Sequence, residues 1–357
     1  MNRYFLYLVL INMFINAIIF VPSILIKYSF NGAVASVILS IPYGILMTYL
    51  YSKALTKFPE QGLPEILADS KHKLLSNLHM GFIQLAYFTA GLITLLGFLD
   101  ILSRFVNPEE PRLFLLIIYL AAIFLVIGMP TERIMYFVEI ILFFSVPFLG
   151  FIVFKAYTGE ELSWDSILEV TTYTFEWPNL KAFAAATYVF SGYVNLIIFN
   201  RVIKGKLKIW NYLFVLFVGI FNLFTTFMIP IGYHGADGAK EYLFPWISTA
   251  DSLRLVYSPI ERVIFLFLML YMGITLVSVS VHWHAALELL KGTFGKKATE
   301  KKKWLVIAAF IIISIFSVYQ INTIRLNKIT EYWMIVRLVV ETIFVVSFYI
   351  WARRKTT

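Results

Sequence analysis

The stretch Phe5–Ile26, FLYLVLINMFINAIIFVPSILI, runs for 22 residues without a charged side chain. Crossing ~30 Å of hydrocarbon at about 1.5 Å per helical residue takes about 20 apolar residues, so this run is long enough to span a bilayer. It exceeds a signal-peptide core and has no small-residue cleavage site, which predicts that it is retained. Similar runs follow at 32–52, 79–103, 113–130, 134–155, 182–200, 209–231, 261–285, 304–321 and 332–351. The chain therefore reads as an all-α polytopic membrane protein of about ten transmembrane helices, forming one transmembrane domain over 1–357.

Composition points the same way. Of 357 residues, 60% are hydrophobic and 14% charged, against roughly half and a quarter in soluble globular chains. One water-soluble core cannot hide that much apolar surface. The 34 Phe and 21 Tyr suit lipid-facing and interfacial positions. The absence of cysteine excludes disulfides and thiolate metal sites.

The net charge of +9 is assigned by its distribution to membrane topology rather than to nucleic acid. With ten spans, nineteen of the 30 basic residues fall on one side. They are Arg3, Lys53, Lys57, Lys71, Lys73, Arg133, Arg201, Lys204, Lys206 and Lys208, then Lys291, Lys296, Lys297, Lys301–Lys303, Arg353, Arg354 and Lys355. The opposite loops hold most of the acids, among them Glu160, Glu161, Asp165, Glu169 and Glu176. The basic side is cytoplasmic, so both termini are expected inside the cell. Of the longer loops, 232–260 predicts a short outer helix starting near Ser248 with Asp251 in its first turn. The inner segment 59–73 predicts a turn and an amphipathic piece at the membrane surface.

No catalytic motif is present: there is no Walker loop, HExxH, GxSxG or glycine-rich dinucleotide turn. His282-Trp283-His284 is the nearest approach to a metal signature, but residues two apart lie on different helix faces, and an interfacial pair is the simpler reading. Neither an enzyme nor a cofactor is expected. The spans hold few ionisable groups. Asp100 is expected to pair with Arg104, Glu139 to reach the inner surface near Arg133, and Glu341 to pair with Arg337 four residues away.

Interruptions within the spans carry more. Span one contains Asn12, Asn16 and Pro22, predicting a broken hydrogen-bond ladder around Ile18–Pro22. Span six contains Ser191-Gly192-Tyr193 at mid-membrane, with Asn195 one turn on. Unpaired backbone survives in a bilayer only where it is buried in protein or lines a cavity. Two interrupted spans five apart point to a midplane site between inverted repeats. The alternative is a proline kink in one and a small-residue helix contact in the other.

Phe244-Pro245-Trp246-Ile247-Ser248-Thr249-Ala250-Asp251-Ser252-Leu253, followed by Pro259-Ile260-Glu261-Arg262, resembles the B subunits of spore nutrient germinant receptors, the spore permease family. The Lys57-Phe58-Pro59-Glu60 inner loop, the length and the short basic C-terminus fit as well. The resemblance implies the amino acid–polyamine–organocation superfamily fold, with LeuT-like inverted five-helix repeats (about 5–155 and 182–351) and broken helices one and six. It implies a receptor subunit in the spore inner membrane that senses a small nutrient, commonly an amino acid, beside A-type and lipoprotein C-type subunits. A secondary amino acid transporter coupled to H⁺ or Na⁺ is the alternative. The implied ligand site comprises Asn16, Ala17 and Phe20 of span one, Tyr87 and Gly91 of span three, Phe190, Ser191 and Gly192 of span six, and Phe267, Tyr271 and Thr275 of span eight. Many transporters of the superfamily carry a glycine cluster at the first break, where backbone N–H groups reach a carboxylate. Asn16-Ala17-Ile18-Ile19-Phe20 has none, which leaves open a ligand other than an amino acid, or a pocket without one. No lysine or acid falls among these positions, which favours a neutral or zwitterionic ligand.

Overall fold

Asn2 starts the first helix by accepting the backbone N–H of Phe5 on its side-chain oxygen. Helix α1 runs Arg3–Asn16 and α2 Phe20–Lys27, bent by 55° at the residues between them. The structure, a computed structural model, describes residues 2–68, 73–254, 261–294 and 300–354. Lys71, Lys296, Lys297, Lys355 and the Pro259-Ile260 pair lie outside the described residues.

The break falls at Ala17–Ile19, earlier than the proline predicts. Pro22 sits in the first turn of α2, where a missing N–H removes no helical bond. Gly32 then turns the chain at φ +79°, and a Cβ there would lie 1.8 Å from the Trp177 carbonyl oxygen. That close approach and the left-handed conformation require glycine.

The chain continues through α3 (Ala33–Leu55), α4 (Leu63–Ala68), α5 (Lys73–Phe105), α6 (Arg112–Ile127), α7 (Thr131–Tyr157) and α8 (Trp164–Thr171). Next come α9 (Leu180–Phe190), α10 (Leu196–Phe199), α11 (Ile209–His234), α12 (Ala236–Lys240), α13 (Pro245–Ser252), α14 (Val263–Phe294), α15 (Glu300–Gln320) and α16 (Thr323–Arg354). Among the described residues eight helices are long and apolar enough to cross a membrane, or nine with α1 and α2 as one bent span. The run expected at 113–130 is α6, 16 residues long, about 24 Å by helical rise and so shorter than the ~30 Å hydrocarbon layer. The protein is an all-α polytopic membrane protein.

Burial orders the helices from centre to rim. The apolar window of Leu180–Val202 is 89% buried and those of α5 and α14 are 72%, whereas α7 is 22% and α15 28% buried. Span six is thus the enclosed element, and α7 and α15 turn most of their surface outward, toward lipid.

Three local expectations change. Asp100 pairs with Arg112, across the turn into α6, while Arg104 donates to the Thr323 hydroxyl at 3.0 Å. Sequence spacing sees only the i,i+4 neighbour, but the turn brings a second arginine closer. Glu139 is held by Arg3 (3.3 Å) and the Tyr7 hydroxyl (3.1 Å) rather than reaching the surface alone. The outer helix α13 begins at Pro245, suited to a first helical position, so Asp251 lies in its last turn and pairs with Arg262. The predicted pair Arg337–Glu341 forms, at 2.8 Å.

Candidate functional site

Span six is overwound rather than bent. Helix α9 ends at Phe190, the chain tightens into a 3₁₀ turn over Ser191–Asn195, and α10 resumes. A 3₁₀ turn shifts each bond from i−4 to i−3 and leaves carbonyls of the preceding turn seeking donors. Asn12 of α1 supplies them: its amide donates to Tyr188 O at 2.8 Å and Val189 O at 3.2 Å. The amide of Asn16 in turn donates to Asn12 O at 2.8 Å. Gly192 lets the helices meet, since a Cβ there would stand 2.7 Å from Val9 Cα and 2.8 Å from Leu8 O.

Beside this junction lies a cavity of about 80 Å³. Asn12, Tyr188, Ser191 and Asn195 form one wall, Tyr87 and Ala90 of α5 another, His282 of α14 a third, and Trp333, Arg337 and Glu341 of α16 the last. Arg337 is 9% and Glu341 7% exposed, halfway along a 32-residue helix. Ionised groups at such depth are costly and need partners. Arg337 donates to Glu341 at 2.8 Å, to Ala184 O at 2.6 Å and to the Thr187 hydroxyl at 3.1 Å, and its guanidinium lies 4.9 Å from the Tyr188 ring centroid. The other Glu341 oxygen accepts the Tyr193 hydroxyl at 2.5 Å. Two fully buried polar atoms of the lining residues have no hydrogen-bond partner: Arg337 Nε and the Tyr87 hydroxyl. Buried donors left unpaired cost about 1–3 kcal/mol each.

The structure distributes the sequence-derived site residues among several places. Tyr87 and Ser191 line the 80 Å³ cavity. Asn16 and Phe20 line a small pocket of about 10 Å³ that shares Ala90, Tyr188 and Trp333 with it. Ala17 and Phe267 line a separate pocket of about 90 Å³ with Trp246 and Asn222. Phe190 is clasped between glycines, lying against Gly44 of α3 and Gly219 of α11. Gly91 backs onto the Trp283 indole, Gly192 onto α1, and Tyr271 stacks on Phe267 with ring centroids 6.4 Å apart. Thr275 is buried on α14 and lines none of these pockets.

Asn12, Arg337 and Glu341 are among the lining residues that the sequence-based set left out. The signal for the pair was visible, because a charge in mid-span marks function by default, but the pairing of Glu341 with Arg337 explained it away. The acid and the arginine that the sequence-derived positions lack therefore come from α16. His282 and His284 are buried, not interfacial. His284 Nδ1 hydrogen-bonds Ile127 O at 2.9 Å, with the Thr131 hydroxyl 3.0 Å from Nε2. His282 Nδ1 lies 2.7 Å from Ser278 O. Among the described residues no three His, Cys, Asp or Glu side chains converge as a metal site.

Ion pairs tie the helix ends on both sides of the cavity. Glu331 of α16 bridges Lys27 of α2 (2.5 Å) and Lys181 of α9 (2.9 Å). At the other end Arg201 joins Glu65 of α4 (2.7 Å) to Glu288 of α14 (2.6 Å).

The fold is that of a multi-pass helical membrane protein with a largely apolar cavity beside its bent first span. The model of the spore permease family, described as spore germination protein, matches residues 2–324, and the chain belongs to that family. The membership gives it a role in spore germination. No curated protein matches the chain.

Proposed function

We propose that this protein is the membrane subunit of a nutrient germinant receptor, and that the 80 Å³ cavity binds a small nutrient, an amino acid, whose arrival triggers germination. The observation that carries this reading is the cavity itself: a largely apolar space at membrane depth, beside the bent first span, with the buried Arg337–Glu341 pair on one side. About 80 Å³ holds on the order of six water-sized positions, well below the ~300 Å³ of a drug-sized pocket. That room suits a small metabolite.

Helix lengths support a build of two five-span repeats over about 5–155 and 182–351. The bent α1–α2 answers the overwound span six, α3 (23 residues) answers α11 (26), and α5 (33) answers α14 (32). The short α6 (16) answers α15 (21), and α7 (27) answers α16 (32). The reading carries with it A-type and lipoprotein C-type partner subunits, the spore inner membrane as location, and both termini in the cytoplasm.

Ala86 lines the cavity, and Ala86→Phe fills it. In spores carrying the variant at normal protein level, the response to nutrient is expected to vanish; an intact response removes the cavity from the mechanism. Purified protein in liposomes is expected to accumulate no labelled amino acid under a proton or sodium gradient. Accumulation would instead assign the protein to secondary transport.

A further inference from the structure

The family match ends at residue 324, so the role of α16 rests on geometry. We propose that the Arg337–Glu341 pair recognises the charged ends of a zwitterionic nutrient and passes its arrival to span six. The inference rests on the cavity being the nutrient site.

The pair is net neutral and sits in the middle of the membrane-spanning helix. A ligand with net charge would leave an uncompensated ion at that depth, costing several kcal/mol. A zwitterion does not, and it can lie antiparallel to the protein pair, carboxylate toward Arg337 and ammonium toward Glu341. The unpaired donors fit that direction. Arg337 Nε and the Tyr87 hydroxyl are buried donors without a partner on side chains that line the cavity, and a carboxylate accepts from them once those side chains turn toward it. No glycine cluster at the first break offers backbone N–H groups to a carboxylate, so the guanidinium takes that task. The size agrees, since on the order of six positions match a small α-amino acid and fall short of a hexose.

The same two side chains hold span six. Arg337 grips Ala184 O and the Thr187 hydroxyl before the overwound turn, and Glu341 grips the Tyr193 hydroxyl within it. A carboxylate that draws Arg337 toward the cavity must loosen or retighten those bonds, because a guanidinium has five N–H donors in one rigid plane. Recognition and relay thus share one residue pair.

Binding to the full-length chain in lipid nanodiscs is measured by calorimetry with glycine and L-alanine, with propionate and ethylamine as half-ligands, and with glycerol as an uncharged probe. Hydrogen exchange of residues 184–195 is followed with and without L-alanine. The zwitterions are expected to bind at least tenfold tighter than the half-ligands and glycerol, and L-alanine to change exchange across 184–195. Tyr87→Phe removes a buried hydroxyl that bonds nothing in the protein, so it is expected to keep or raise the melting temperature and to weaken L-alanine binding about tenfold. Arg337→Gln with Glu341→Gln removes both charges together and is expected to abolish binding and the exchange response in a chain of unchanged helicity. Wild-type affinity for L-alanine in the double variant overturns the proposal, as does glycerol binding as tightly as the zwitterions. Should that double variant fail to fold, Tyr87→Phe alone decides, and unchanged affinity there counts against the proposal. Binding of glycerol alone, lost in Ala86→Phe, overturns the zwitterion assignment yet leaves the sensor reading standing; no binding by any probe, with Ala86→Phe spores still responding, removes both.

Discussion

Phe190 belongs to the set that the family resemblance places at the ligand, whereas its surroundings make it a spacer between helices. A Cβ on Gly44 would lie 2.4 Å from Phe190 Cγ and 2.6 Å from Phe190 Cβ, about 1 Å inside the 3.4 Å at which ordinary contact begins. The clash is with the root of the side chain, so a rotamer change cannot relieve it. The far edge of the ring is hemmed in as well, because it packs so near Gly219 that a Cβ there would stand 2.2 Å from Phe190 Cε1. Gly44→Ala must therefore push α3 away from α9, at an overpacking cost of about 1–3 kcal/mol. At roughly 2 °C per kcal/mol for a chain of this size, the apparent melting temperature should fall by about 2–6 °C. The eight tryptophans allow the melt to be read by intrinsic fluorescence in detergent. Gly150→Ala is the control: nothing lies within 4 Å of a Cβ there, and the change should be neutral or stabilising by up to ~1 kcal/mol. Phe190→Ala alone should cost about 3–5 kcal/mol, but adding Gly44→Ala to it should recover part of that loss. The resulting double-mutant cycle should show a coupling of at least ~1 kcal/mol. Equal melting of Gly44→Ala and Gly150→Ala, or simple additivity with Phe190→Ala, would refute the packing argument and return Phe190 to the ligand.

Orientation and the inner clamp offer two more tests. The chain has no cysteine, so single introduced thiols report topology directly: Glu109→Cys should react with a membrane-impermeant maleimide on intact cells, and Lys206→Cys only after permeabilisation. The reverse pattern overturns the cytoplasmic placement of the termini. Arg201→Gln removes the link from α4 to α14 while Glu288 keeps Lys291 at 2.6 Å. At about 1–2 kcal/mol for the lost pairs, hydrogen exchange across Leu63–Ala68 should quicken roughly 5–30-fold, and unchanged exchange would show that α4 docks without the clamp.

The membrane class, the approximate spans and the places where the ladder is disturbed all follow from the sequence itself. Apolar run length is a local property set against a fixed bilayer thickness, and the polar residues that mark a disturbance, Asn12, Asn16 and Ser191-Gly192, stand out against apolar neighbours. The pairing of Glu341 with Arg337 was legible for the same reason, since residues four apart on a helix are neighbours. Asp100 shows the limit of that rule, because its partner Arg112 comes across a turn. What only the tertiary structure decided is which of these residues face one another. Whether the mid-membrane pair of α16 looks out or in depends on the rotation of that helix against α9, which is set by packing contacts far apart in sequence, such as Phe190 between Gly44 and Gly219. The same contacts turned Gly91, Phe190 and Gly192 into helix-packing positions and gathered Asn12, Tyr87, Arg337 and Glu341 around one cavity. The broken first span marked the neighbourhood of the site, and the side chains that carry its charge came from the helix last in the chain.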